Sequence, residues 1–174
     1  MAANGQLERR DGSGMKAPRI DIGRAESPEQ LDEVRGLFRE YEGFLRVKLC
    51  FQSFEAELAG LPGDYAAPAG ALFLAMDGGR GAGCVALRKL GEGIGEMKRL
   101  FVRPEYRGQG LGRALARRVM EEAVAAGYGR MRLDTPARLK EAMRLYESLG
   151  FKQISPYRAI PLEDVVYWEL PLPP

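Results

Sequence analysis

Residues 97–123 read MKRLFVRPEYRGQGLGRALARRVMEEA. An extended apolar run ends at Val102, a short loop follows, and a helical pattern opens around Gly108, Gly110 and Gly112. Glycine destabilises a helix interior by about 1 kcal/mol relative to alanine, so three at a helix start call for a reason. A helix N-terminus carries unpaired N–H groups and roughly half a positive charge. Those groups attract phosphate, and glycine lets an anion come close to the backbone. Arg107 and Arg113 add charge at the rim, with Arg117 and Arg118 beyond. The rival reading is a tight loop whose glycines only let helix and strand pack. A Walker A run is absent, and a dinucleotide G-x-G-x-x-G would need glycine in place of Arg113 or Leu115. What remains is Arg107-x-x-Gly110-x-Gly112.

The flanking pattern sets this unit in a larger sheet. Residues 17–25 read as a short strand. Ser27-Pro28-Glu29-Gln30 is a helix start, with Ser27 as N-cap, Pro28 at the first helical position and Gln30 completing a capping box. Leu31, Val34, Leu37, Phe38 and Tyr41 follow at helical spacing. A second helix is expected over 53–60 and a loop over 63–70. ALFLAMD (71–77) and GAGCVALRKL (81–90) form a hairpin about Asp77-Gly78-Gly79. A glycine-rich turn at 91–95 leads into the strand EMKRLFV (96–102). The next helix runs over about 110–126, with Leu111, Ala114, Leu115, Val119 and Ala123 as its apolar stripe. RMRLDT (130–135) is a strand, 137–149 a helix, and 151–155 and 164–170 the closing strands. The order β-α-α-β-β-β-α-β-α-β-β gives an α/β fold, one mixed sheet with helices on its faces. Residues 1–14 lack periodic hydrophobicity and are read as a flexible extension or expression leader, with Met15 as the natural start. That leaves 15–174 as one domain.

Composition removes several chemistries. The chain has no histidine, which rules out Ser-His-Asp and Cys-His pairs and histidine-bound zinc. Proton transfer must then use Asp, Glu, Tyr, Lys, Cys, water or a terminus. Cys50 and Cys84 lack metal-ligand spacing and read as buried thiols, so no metal is expected. A formal charge of +2 is too small to argue for nucleic acid. No apolar run reaches the ~18–20 residues of a membrane span, and no secretory signal is visible. A cytoplasmic protein with no nucleic-acid or membrane partner is expected.

The signature Arg107-Gly108-Gln109-Gly110-Leu111-Gly112, the preceding VRPEY and the downstream LYESLGFK (145–152) resemble the GNAT superfamily of acyl-CoA N-acyltransferases. Element order agrees from about residue 18 to 170. The resemblance implies a GNAT-like splayed sheet and acetyl-CoA as cofactor. It places the pyrophosphate on backbone amides of Arg107, Gly108, Gln109, Gly110, Leu111 and Gly112, with Arg113 next. It lays the pantetheine arm beside the strand of Leu100, Phe101 and Val102, in strand-like hydrogen bonds. The partner implied is an amine acceptor, a small molecule or a peptide, acetylated by direct attack in a ternary complex. A homodimer is compatible with it.

Two residues carry the implied proton chemistry. Tyr146 stands where many members place a tyrosine that protonates the departing thiolate; it is also a plain core tyrosine by its face, shared with Leu139, Ala142, Met143 and Leu149. Many members carry an asparagine seven residues earlier, where this chain has Leu139. Glu96 matches a strand carboxylate that often acts as general base; it also reads as a strand-end charge or a partner of Lys98. For the acceptor site the resemblance implicates Tyr41, Phe44, Arg46, Lys48, Phe51, Tyr157 and Arg88, whose basic members suit an acceptor carrying a carboxylate. The reading from another class is a non-catalytic acyl-CoA sensor or scaffold.

Overall fold

The computed structural model describes residues 19–49 and 53–174. The extension 1–14, Cys50 and Phe51 lie outside the described residues. The chain runs β1 (Ile20–Arg24), α1 (Pro28–Leu45), α2 (Phe54–Gly60), β2 (Ala71–Asp77), β3 (Arg80–Gly91), β4 (Ile94–Val102), α3 (Leu111–Ala125), β5 (Arg130–Pro136), α4 (Lys140–Ser148), β6 (Lys152–Ile154) and β7 (Val165–Pro171). The seven strands form one sheet in the order β1-β2-β3-β4-β5-β7-β6. The expected order of elements holds throughout.

Local chemistry fixes the ends of α1. The Ser27 hydroxyl accepts from the Gln30 amide, the Gln30 side chain accepts from the Ser27 amide, and Pro28 opens the helix. Both faces of the sheet are covered, which explains why β2 is apolar throughout rather than alternating. Leu72 and Leu74 pack with Val34, Leu37, Phe38, Phe54 and Leu58 under α1 and α2. Phe73 packs on the other face with Leu115, Val119 and Met131, under α3.

Two boundaries that bear on the site differ from the sequence reading, beside shifts of one to a few residues at other ends. The strand expected over 96–102 begins at Ile94, because Glu92-Gly93 make a two-residue turn and Gly91 pairs with Ile94. Gly93 takes φ +66, a conformation only glycine adopts readily. Glu96 is therefore an interior strand residue and not a strand-end charge. The helix expected over 137–149 begins at Lys140, since Leu139 caps it at φ −80, ψ 72 without any side-chain hydrogen bond.

Gly95 shows how tightly this region is packed. A Cβ there would lie 2.9 Å from the Tyr128 ring and 3.1 Å from Leu87 Cδ1. The ring has little freedom to move, because the Tyr128 hydroxyl donates to the Ala69 carbonyl at 2.6 Å. Gly95→Ala is expected to cost about 1–3 kcal/mol by overpacking, read as a lower urea midpoint at unchanged slope.

Candidate active site

The sheet forks at β4. Strands β4 and β5 run parallel, and they pair only at Ile94–Arg130, Gly95–Met131 and Glu96–Arg132. Beyond Glu96 the β4 edge facing β5 has no strand partner among the described residues. On its other edge β4 carries a bulge: Phe101 pairs with Cys84 and Lys98 with Ala86, so Arg99 and Leu100 stand opposite Val85 alone. Arg99 takes φ +57 there. A bulge bends its strand and raises local twist, which turns β4 away from β5.

The fork opens a cleft of about 520 Å³. Leu100, Phe101 and Val102 form one wall, Arg107, Gly108, Gly110, Leu111 and Gly112 one end, and Leu139, Ala142, Leu145 and Tyr146 the facing wall. Thus the β4 edge runs straight into the glycine loop. Gly108 and Gly110 take φ +74 and +83, and Gly110 is the N-cap of α3. The half-buried apolar face of α4 is explained by the same geometry, since Leu139 and Ala142 pack against the core on one side and line the cleft on the other. Gln109 and Arg113 are not among the lining residues. The Gln109 side chain donates to the Glu105 carbonyl at 3.4 Å, and Arg113 donates to Ser148 Oγ on α4 at 2.6 Å.

Arg107 is more engaged than a rim charge. Its Nε donates to the Val102 carbonyl at 2.8 Å, and its guanidinium lies 4.5 Å from the Phe44 ring centroid. Phe44, expected at the acceptor site, thereby stands in the larger cleft with Tyr41. Arg46 and Lys48 are exposed and line neither cavity described here.

A second cavity, about 40 Å³, opens behind the first and is lined by Lys98, Asp134, Leu45, Leu49, Ile160 and Leu162 among others. Tyr41, Leu100 and Tyr146 line both cavities. Tyr146 is a core tyrosine that also lines both cavities. It is 6% exposed, with its ring 5.9 Å from Phe151 and 6.3 Å from Trp168, and it stands in the wall between the cavities. Burial pushes its hydroxyl well above the ordinary tyrosine range, so it stays a proton donor. Cys84 lines neither cavity; burial pushes its thiol up, and it points at the Arg99 carbonyl at 3.4 Å. Such a thiol is not an acyl-accepting nucleophile.

An ionic cluster sits at the fork. Glu96 is fully buried and pairs with Arg88 at 3.3 Å, with Lys98 at 3.6 Å, and with Arg158. Arg158 also donates to Asp134 on β5 at 2.6 Å. One guanidinium from the β6–β7 loop thus bridges the two strands just where their main-chain pairing stops. Tyr157 packs beside it, stacked edge-on to Tyr167 with ring centroids 5.2 Å apart. Lys98 was legible as sharing a strand face with Glu96 at i, i+2. Asp134 and Arg158 were not singled out, because their meeting depends on a loop that carries no periodic signal.

The acetyltransferase (GNAT) family model matches residues 31–151. The chain belongs to this family and is an N-acetyltransferase. It is 40% identical to an uncharacterized N-acetyltransferase of Schizosaccharomyces pombe over 158 residues, covering 90% of this chain and 97% of that one. Its fold matches an acetyltransferase from Streptococcus agalactiae with TM-score 0.75 at 26% identity, over 88% of this chain and 98% of that one. It also matches YncA from Salmonella typhimurium, solved with its cofactor acetyl-CoA, with TM-score 0.68 at 18% identity, over 88% and 94%. Among the described residues no helix is long and apolar enough to cross a membrane.

Proposed function

We propose that acetyl-CoA binds in the larger cleft and that an amine enters the smaller cavity, the two meeting at Tyr146. The observation that carries this reading is the unpaired β4 edge running into the glycine loop. The residues fit the cofactor: Leu100 and Val102 offer main-chain groups to an extended amide-bearing arm, while Gly108, Gly110 and Gly112 open the start of α3 to a pyrophosphate. Arg107, Arg138 and Lys140 line the same cleft and supply positive charge. Phe101 contributes its ring, since its main chain is paired to Cys84. Gln109 and Arg113 serve through the loop backbone and the first turn of α3. When bound, the thioester supplies an activated acetyl group and a thiol leaving group.

Tyr146 donates its hydroxyl proton to the departing sulfur. The proton lost by a neutral attacking amine restores it, so the transfer needs no net base. Glu96 then holds the fork together and does not take the amine proton. This is supported by its complete burial and by cations on both carboxylate oxygens.

Gly110→Val tests the cofactor site. The branched side chain crowds the loop backbone, and acetyl-CoA affinity is expected to fall at least about tenfold, or 1.4 kcal/mol, by calorimetric titration. The left-handed φ of Gly110 adds strain of about 1–3 kcal/mol to that variant. Gly112→Ala separates the two effects, because its Cβ meets only ordinary contacts, Leu145 at 3.7 Å and Val102 at 3.8 Å. Parental affinity in both variants would remove the loop from the cofactor site. Tight acetyl-CoA binding with no thiol release over a panel of amines and peptides would restore the sensor reading.

A further inference from the structure

We propose that the small cavity behind Tyr146 is a subsite for a zwitterionic amine of amino-acid size, with Lys98 taking the carboxylate and Asp134 facing the ammonium. The inference rests on the acetyl-transfer reading above and names its acceptor class.

The first support is a charge imbalance around the buried Glu96 and Lys98. Among the described residues Arg88, Lys98 and Arg158 share Glu96 and Asp134, three cations against two carboxylates. Buried charges are ordinarily paired and hydrogen-bonded. The Lys98 side chain is only 6% exposed, and its one ion pair among the described residues, 3.6 Å to Glu96, is longer than a hydrogen bond. Glu96 is also shared with the two arginines. Lys98 therefore retains donors for an anionic ligand, and it lines the cavity where a ligand would enter. Burial pushes its ammonium down to about 8, so the charge is held at a cost that an incoming carboxylate relieves. Arg99 lines the cavity too, but Glu57 takes its guanidinium at 2.6 and 3.1 Å.

The second support is the rest of the lining. Asp134 places a negative group in the same cavity, which favours entry of the ammonium; the ammonium gives one proton to solvent before the neutral amine attacks. Leu45, Leu49, Ile160 and Leu162 make the remaining wall apolar, and a volume of about 40 Å³ takes only the charged end of an acceptor, leaving its side chain to the wall of Tyr41, Leu100 and Tyr146 shared with the larger cleft. With Arg99 paired to Glu57, Lys98 and Asp134 leave one available charge of each sign beside apolar walls, which matches an α-amino acid better than a polyamine or a sugar amine.

The test compares each of glycine, L-alanine and L-leucine with its own amide, following thiol release from acetyl-CoA. The amide keeps the amine and the side chain and removes only the carboxylate. Amino acids are expected to exceed their amides in kcat/KM by roughly 10²-fold or more, mostly through KM, because the amide leaves Lys98 without its anion. Lys98→Met should bring that ratio near unity while acetyl-CoA affinity holds, and Lys98→Arg should keep part of it. The parental comparison needs no variant, so a poorly folding Lys98→Met does not shield the proposal. Equal rates for acids and amides, or a preference that survives in folded Lys98→Met, would overturn it. So would turnover of other amines with none of the three amino acids acetylated. A chain that fails to bind acetyl-CoA at all would instead overturn the reading on which the proposal stands.

Discussion

Tyr146→Phe is expected to lower kcat by roughly 10–10³-fold, or about 1.4–4 kcal/mol, with acetyl-CoA affinity and melting temperature held. The ring contacts with Phe151 and Trp168 survive the change, so packing is kept and only the hydroxyl goes. A hydroxyl that serves the departing sulfur helps mainly in the transition state, which is why kcat and not affinity carries the loss. Burial holds the hydroxyl protonated, so the ratio of parental to variant rate should stay flat below about pH 9. A thioester with a more acidic thiol needs less help and should suffer less. An unchanged kcat would return Tyr146 to the core.

Glu96→Gln is expected to cost about 3–5 kcal/mol of stability, read by urea or thermal unfolding. The glutamine removes one of the two carboxylates that balance Arg88, Lys98 and Arg158, and it leaves those cations under-compensated around a fully buried position. The general-base reading makes a different forecast: stability near parental, kcat/KM down by roughly 10²-fold or more, and the loss shrinking as pH rises and free amine appears. Measuring both on one preparation separates the roles. A stable variant with a pH-dependent rate loss would restore Glu96 as base.

The fold was legible where the chain speaks locally. Ser27 through Gln30 announced α1 completely, and the glycines from 108 to 112 announced the start of α3, because capping and backbone freedom are properties of a few adjacent residues. Glu96 was misplaced by two residues since a glycine-rich stretch hides a tight turn as readily as a loop. The β4 wall and glycine-loop end of the larger cleft were legible for the same reason as α3: strand, loop and helix are contiguous. The ionic cluster was not. Arg158 reaches Glu96 across 62 positions of sequence and Asp134 across 24, and nothing short-range records such a meeting. Phe44 lines the larger cleft, and a helical pattern alone does not tell on which side of a fork a helix face ends.

The fork has a further consequence for how such a chain diversifies. The two cavities share Tyr41, Leu100 and Tyr146, and the remaining lining residues are separate. Substitutions at Leu49, Ile160 or Leu162 alter the smaller chamber without touching the glycine loop or the β4 edge beyond Leu100. On the proposed assignment of the two cavities, choice of amine can drift under selection while the machinery for the common donor stays fixed, as interchangeable heads fit one handle.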